Sequence, residues 1–180
     1  MEATDHLKDS LLAAVELANV FGAHYRQGRP APAPDAAAVQ AALRLTTNRE
    51  IAVDPADYES GGKILYDALS SFPDVDRAAE LVNTMLRETQ AAPQLVRDPG
   101  APWHLHFGSP GEATGWLAEF ATAVAMLLGS EHVERLRQCA AVRCDGLFLD
   151  ATRNRTQRFC STACQNRTKV AAHRARPSSP

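Results

Sequence analysis

Apolar residues recur at helical spacing along most of the chain. Between positions 5 and 26, Leu7, Leu11, Leu12, Val15, Ala18, Phe21 and Tyr25 form one stripe, which predicts a first helix. Gly28 and Pro30 stop it, and the Pro/Ala-rich stretch 30–34 reads as a turn or linker. Asp35 is placed to cap a second helix reaching about Leu45. Ile51 to Pro55 carries no clear period. A third helix is predicted over 57–71 on Ile64, Leu65, Ala68 and Leu69, with Gly61-Gly62 as a weak point in it. Pro73-Asp74 separates it from a fourth helix over 75–90, which turns Leu81, Val82, Met85 and Leu86 inward. The period then shortens. Gln94–Arg97 and Trp103–Phe107 flank Asp98-Pro99-Gly100-Ala101, the pattern of a β-hairpin, and Gly108–Gly111 ends it. A longer helix is predicted over 112–128, burying Trp116, Leu117, Phe120, Val124, Leu127 and Leu128, before Gly129-Ser130 breaks it. The expected fold class is mainly α with a small β-hairpin, followed by a C-terminal module of another kind.

That module is marked by cysteine. Cys139, Cys144, Cys160 and Cys164 are the chain's four cysteines, spaced as C-x4-C and C-x3-C. Two close pairs separated by a span long enough to fold back suit a tetrahedral zinc site. Gly146–Asp150 between them reads as a short strand that could pair with residues near Phe159. The second pair sits where a helix should begin, with Ser161 or Thr162 as its cap. Knuckle, hairpin, then a helix whose first turn supplies the last ligands is a treble-clef-like order. Few apolar side chains are available here (Leu147, Phe148, Leu149, Phe159 and Val170), so one structural Zn²⁺ must supply the stability, about 10–16 kcal/mol in small zinc modules. Unrelated buried thiols and an iron–sulfur cluster are the alternatives, although these spacings are not usual cluster runs. Four thiolates leave no open position for water, which argues against a catalytic metal.

Charge divides at the same place. From Arg135 onward there are ten Lys/Arg against two acids, whereas the first 134 residues carry nine bases and nineteen acids. The formal net charge of −2 conceals this asymmetry, which points to a nucleic-acid or membrane-surface contact by the basic end. No apolar run approaches the roughly 20 residues needed to span a bilayer. Met1–Asp5 lacks a basic, apolar leader, so the expected compartment is the reducing cytoplasm, where cysteines favour metal over disulfides. The expected organisation is a helical region over 1–134, a basic zinc module over 135–176, and a disordered tail over 177–180.

The segment CAAVRCDGLFLDATRNRTQRFCSTACQNRTKVAAHRAR, residues 139–176, resembles the CGNR-type zinc finger, named for a Cys-Gly-Asn-Arg element. The resemblance rests on both cysteine pairs, the Leu-Phe-Leu-Asp strand, the Arg-Asn-Arg segment, an aromatic before the third cysteine and the closing Lys-x3-His-Arg-x-Arg. This chain has Cys164-Gln165-Asn166-Arg167 at the signature, Phe159 where Trp is usual, and a second pair one residue shorter than is common. The resemblance implies an upstream helical ABATE domain, associated with stress-induced transcription regulation. Residues 5–130 are similar to it in length and order of elements.

Arg153, Arg155, Arg158, Arg167, Lys169, Arg174 and Arg176 crowd the module with almost no acids to pair with, and unpaired like charges favour a polyanion partner. About five phosphate contacts would give a log K versus log salt slope near −4.5. Gln165, Asn166 and Arg167 are the candidates for base contacts, since Asn or Gln suits adenine and Arg suits guanine; Asn166 serves equally well as a turn stabiliser. The leading function is therefore a DNA-binding transcription regulator, dimeric by expectation, since one small module buries little surface. The alternative is a zinc-stabilised interaction module that docks an acidic partner or its own N-terminal region. No catalytic motif or Gly-rich phosphate loop is present, so the chain is not expected to be an enzyme. In the helical region, His104-x-His106 reads as a strand pair rather than a metal site, Trp103 and Trp116 as core, and Asn19 as a buried polar group with an internal partner, or else the lining of a small-molecule effector pocket.

Overall fold

A computed structural model describes residues 2–47, 50–97, 100, 103–108 and 112–174, with side chains from Leu7 onward. Helices α1 (Glu2–Gly22), α2 (Ala36–Leu43), α3 (Pro55–Ser70), α4 (Val75–Glu88) and α5 (Ala113–Leu128) precede α6 (Thr162–Arg174). Strands β1 (Tyr25–Arg26) and β2 (Arg29–Pro30), β3 (Gln94–Val96) and β4 (His104–His106), and β5 (Leu136–Gln138) and β6 (Leu147–Leu149) form three antiparallel ribbons. Arg176 and the tail from 177 lie outside the described residues.

Caps fix where the helices start. Asp35 accepts from Ala38 N at 2.7 Å, Asp54 from Ala56 N and Asp74 from Arg77 N. Asp54-Pro55 is thus an N-cap followed by proline at N1, a start signal inside the stretch that showed no period. α1 stops at Gly22, four residues before the expected end, because Gln27 (φ 53°) and Gly28 (φ 89°) close a two-residue turn and pair Arg26 with Arg29. Positive φ at both turn residues is what a type I′ hairpin requires. The hairpin β3–β4 falls where expected, in the register Leu95 opposite Leu105.

Helices α1, α3, α4 and α5 bury Leu17, Leu65, Leu69, Val82, Met85, Phe120 and Val124 between them, with Val39 and Leu43 of α2 on the side of α1. Gly61 and Gly62 are no weak point in α3. A methyl group on Gly62 would come within 2.3 Å of the Phe21 ring, and one on Gly61 within 2.6 Å of Leu117, so the pair lets α1 and α5 approach α3 closely. Trp116 is partly buried against this core, but Trp103 is 63% exposed, contrary to the core role expected of it. It stands beside a two-stranded ribbon on which Leu95 is also exposed, and the Arg97 guanidinium lies 6.0 Å from its ring.

The second correction concerns β6. It pairs with Leu136–Gln138, not with residues near Phe159. Leu136 and Leu147 project from β5 and β6 into the bundle core, which selects this register. The segment before Phe159 instead crosses the knuckle, where Ala140 N donates to Arg158 O at 2.9 Å. The C-terminal module is therefore seated on the helices and not tethered to them.

Candidate metal centre and nucleic-acid interface

The β5–β6 ribbon opens into a loop that carries Cys139 and Cys144, closed by Cys139 N donating to Gly146 O at 2.9 Å. Cys160 lies just ahead of α6 and Cys164 in its first turn. Ser161 caps that helix through Cys164 N at 3.3 Å. All four Sγ atoms lie within 4.8 Å of one another, with Cys144–Cys160 at 3.7 Å and Cys160–Cys164 at 3.8 Å. A tetrahedron with zinc–sulfur bonds of 2.3 Å has edges of about 3.8 Å, so the thiols already stand where a zinc ion would hold them. Among the described residues this is the one cluster of three or more metal-capable side chains.

The electrostatics agree with that fit. Burial opposes ionisation of Cys164, but hydrogen bonds from Ser161 and Arg167 and from neighbouring thiols outweigh it and bring the pKa down to about 7. Cys160 moves the other way, raised by burial and by the charges of Cys139 and Cys144. Burial likewise raises Cys139. Ionisation is favoured at Cys164 and resisted at Cys139 and Cys160, so holding the cluster as thiolates calls for a cation among them. Arg167 offsets the anionic cluster: its Nη2 reaches Cys164 Sγ at 3.8 Å while Nη1 donates to Val142 O. Four cysteines at the observed spacing and geometry fit one structural zinc, which would lock α6 against the knuckle.

Asp150 organises the arginine-bearing loop, a role the sequence reading missed. Its buried carboxylate accepts from Thr152 N and Oγ1 and from Gln157 N, and Arg137 Nε lies 3.5 Å away, an ion-pair separation without a hydrogen bond. Burial acts to raise its pKa, and these donors outweigh it, so the net shift is downward. Arg135 and Arg137 are occupied in the same way, donating to the carbonyls of Asp150, Thr152 and Arg155.

The expected nucleic-acid residues therefore sort into two groups. Arg153, Gln165, Asn166, Lys169 and Arg174 are exposed. Arg158 is exposed with its guanidinium 5.8 Å from the Phe159 ring, and it lines a groove of 590 Å³ together with Thr156, Ser161 and Gln165. Arg155 is paired with Glu134, and Arg167 is turned inward onto the zinc site. Arg176 lies outside the described residues.

Docking of the module on its own N-terminal region was the alternative expectation, but the residues that make the seam were not foreseen. The Asn19 amide is inserted beside β6, donating to Leu147 O at 2.9 Å and accepting from Leu147 N at 2.7 Å, as a neighbouring strand would. Asp145 accepts from His24 N and Tyr25 N, and Asp145 N donates to Tyr25 O. Tyr66 Oη donates to Asp145 O, and Gly28 N to Arg143 O at 2.9 Å. The Gln27-Gly28 dipeptide was the available sequence signal for the hairpin that makes these bonds. In α5 a lone charge marks another buried site. Glu119, 2% exposed, meets Ser10 Oγ, Phe107 N and His106 Nδ1. His106 of the His-x-His pair thus faces a buried carboxylate.

Comparison with known proteins agrees with this anatomy. No curated protein matches the chain. The family model described as "CGNR zinc finger" matches residues 135–177. The model named ABATE, described as "Putative stress-induced transcription regulator", matches residues 62–131, from within α3 through α5. The chain thus carries an ABATE region N-terminal to a CGNR zinc finger.

Proposed function

We propose that this chain is a cytoplasmic transcription regulator that binds duplex DNA through its zinc finger, with the helical region as sensor or dimerisation unit. The observation that carries the reading is α6. The helix is anchored at one end by Cys164, which is fully buried, and by its Ser161 cap, and it has no acidic residue along its length. Gln165, Asn166, Lys169 and His173 are exposed at i, i+3 and i+4 spacing, hence on one side of the helix, with Arg174 following. A rigid helix with an amide pair and cations on its open side has the chemistry to approach a groove, the cations positioning it on phosphates and the amides meeting base edges. The description of the ABATE model supports the regulatory half of this reading.

The rival reading, a basic finger that docks its own acidic N-terminal region, meets a specific difficulty. The finger does dock there, but through Leu136, Leu147, Asp145 and the knuckle, and α6 beyond Cys164 stays largely exposed. Intramolecular docking thus leaves the basic helix open to another partner. We propose no catalytic role, because four thiolates would fill the tetrahedral shell of zinc.

The test is selection of random duplex DNA by the zinc-loaded protein at near-physiological salt, with Cys144→Ser alongside. A motif enriched by the wild type and lost in the variant is the expected result. Equal, weak binding by both proteins would sink the proposal and put partner docking first.

A further inference from the structure

The first hairpin of the helical region is wrapped around the zinc knuckle, and the two together gather arginines that the finger alone does not possess. Gly28 N holds Arg143 O, Tyr25 O holds Asp145 N, and the Asp145 carboxylate is consumed by the backbone of His24 and Tyr25. Around this junction lie Arg26, Arg29, Arg143 and Arg167. Arg26 is paired with Glu16 at 3.6 Å and lies over Gly146, where a Cβ would be 3.6 Å from its Nε. Arg167 passes beneath Gly28, whose missing Cβ would stand 2.9 Å from Nε, and is spent on Val142 O and Cys164 Sγ. Arg29 and Arg143 remain. Both are exposed, and neither has a carboxylate partner among the described residues.

Arg143 is also held in an unusual state. Its φ of 55° is in the left-handed region, which a non-glycine residue adopts only when its surroundings hold it there. The Gly28 hydrogen bond fixes its carbonyl, and its guanidinium is stacked 4.9 Å from the Tyr25 ring. The side chain is thus pre-ordered at the surface without neutralisation, beside Arg29 on the residue that follows Gly28. Clustered, unpaired guanidinium groups repel one another unless a polyanion offsets them, and a guanidinium fork suits phosphate oxygens.

We propose that the β1–β2 hairpin and the zinc knuckle form a second phosphate-contacting surface, in which Arg29 from the helical region and Arg143 from the finger grip the DNA backbone beside α6. This inference rests on the DNA-binding reading and extends it: the interface crosses the boundary between the two regions, so the finger does not make it alone. Tyr25 acts as a positioning residue, holding Arg143 in its presented conformation.

The experiment measures binding of the full-length, zinc-loaded protein to a labelled random-sequence duplex, between about 50 and 200 mM salt. The proteins are the wild type, Arg29→Gln, Arg143→Gln, the double variant, Arg29→Lys, Tyr25→Leu and, as control, Arg77→Gln, whose arginine is paired with Glu80 on α4. Each lost phosphate contact should shallow the log–log slope by about 0.9 and weaken binding severalfold, so the double variant should lose about 1.8 in slope. Arg29→Lys should keep its slope, Tyr25→Leu should fall between wild type and Arg143→Gln, and the control should not move. Zinc content and thermal midpoint are read for each protein. If Arg143→Gln disturbs either, Arg29→Gln decides, since both residues of β2 are exposed and the Arg29 side chain has no carboxylate partner among the described residues. Unchanged slope and affinity in Arg29→Gln, while the wild type still binds in a salt-dependent way, overturns the seam and leaves the DNA-binding reading intact. Absence of salt-dependent duplex binding by the wild type overturns both.

Discussion

The bundle and the finger are built on opposite terms. In the bundle, four helices bury aliphatic and aromatic side chains continuously from Leu17 to Val124, and conformational order is maintained by apolar area removed from water. The finger's own cluster is Cys139, Ala141, Cys144, Phe148 and Cys164, with Phe159 and Cys160 at its margin. Most of those positions are metal ligands, so the cluster cannot hold together as an oily core. What it lacks it takes from two sources, the metal and the bundle. Leu136 and Leu147 of the finger sit in the bundle's core and not in its own. A small module of this kind gains a fixed orientation relative to its carrier, which a flexible tether would not provide.

Metal removal should break the comparison most completely. Chelation removes ligation free energy of about 10–16 kcal/mol from the finger, and Cys164→Ser removes a part of it, while α1, α3, α4 and α5 retain their packing. Circular dichroism should show loss of α6 with most helicity kept, and the wild type should carry one zinc per chain by elemental analysis. Acidification should release the same zinc, since protonated thiols do not ligate. Loss of all helicity on chelation would show that the bundle depends on the finger, the reverse of what the two cores imply.

The seam comes next. Asn19→Leu leaves Leu147 N and O buried without partners, at a cost of about 3 kcal/mol, read as a lower urea midpoint with zinc still bound. Gly62→Ala tests the bundle by itself. The added methyl meets the Phe21 ring and should cost about 1–3 kcal/mol without touching zinc affinity. Asp150→Asn tests the finger by itself. It weakens the acceptor for Thr152 and Gln157 and the charge facing Arg137, for about 2 kcal/mol, read as easier zinc loss to a chelator. The smallest effect is Arg155→Gln. Its pair with Glu134 is exposed, and its loss should shift stability by less than about 1 kcal/mol.

Local signals carried the reading of single elements well. Asp35 was read as a cap and does cap α2, whereas Asp54-Pro55 and Asp74 cap α3 and α4 without having been read as caps, so the predicted start of α3 fell two residues late. The cysteine pairs are local signals too, because a knuckle and a helix start each confine two ligands within a few residues. Signals that depend on a distant partner were read incompletely. Asn19 showed as a polar break in an apolar stripe, but its partner is Leu147, far along the chain. Gly61-Gly62 looked like helix weakness until Phe21 and Leu117 were set against it. Charge was the most ambiguous signal of all. Arg135, Arg137, Arg155 and Arg167 count the same as Lys169 in a sum of charges, yet the fold occupies the first four and leaves the last exposed.

The sequence by itself determined the helical elements, the zinc ligands and the polarity of the two regions, because periodicity, capping and ligand spacing act over a few residues. Only the tertiary structure decided which arginines are available, which strand β6 joins, and that the first hairpin clasps the knuckle. Those outcomes depend on which backbone groups and side chains meet across more than a hundred residues, and burial and hydrogen-bond satisfaction settle that only when the whole chain is packed.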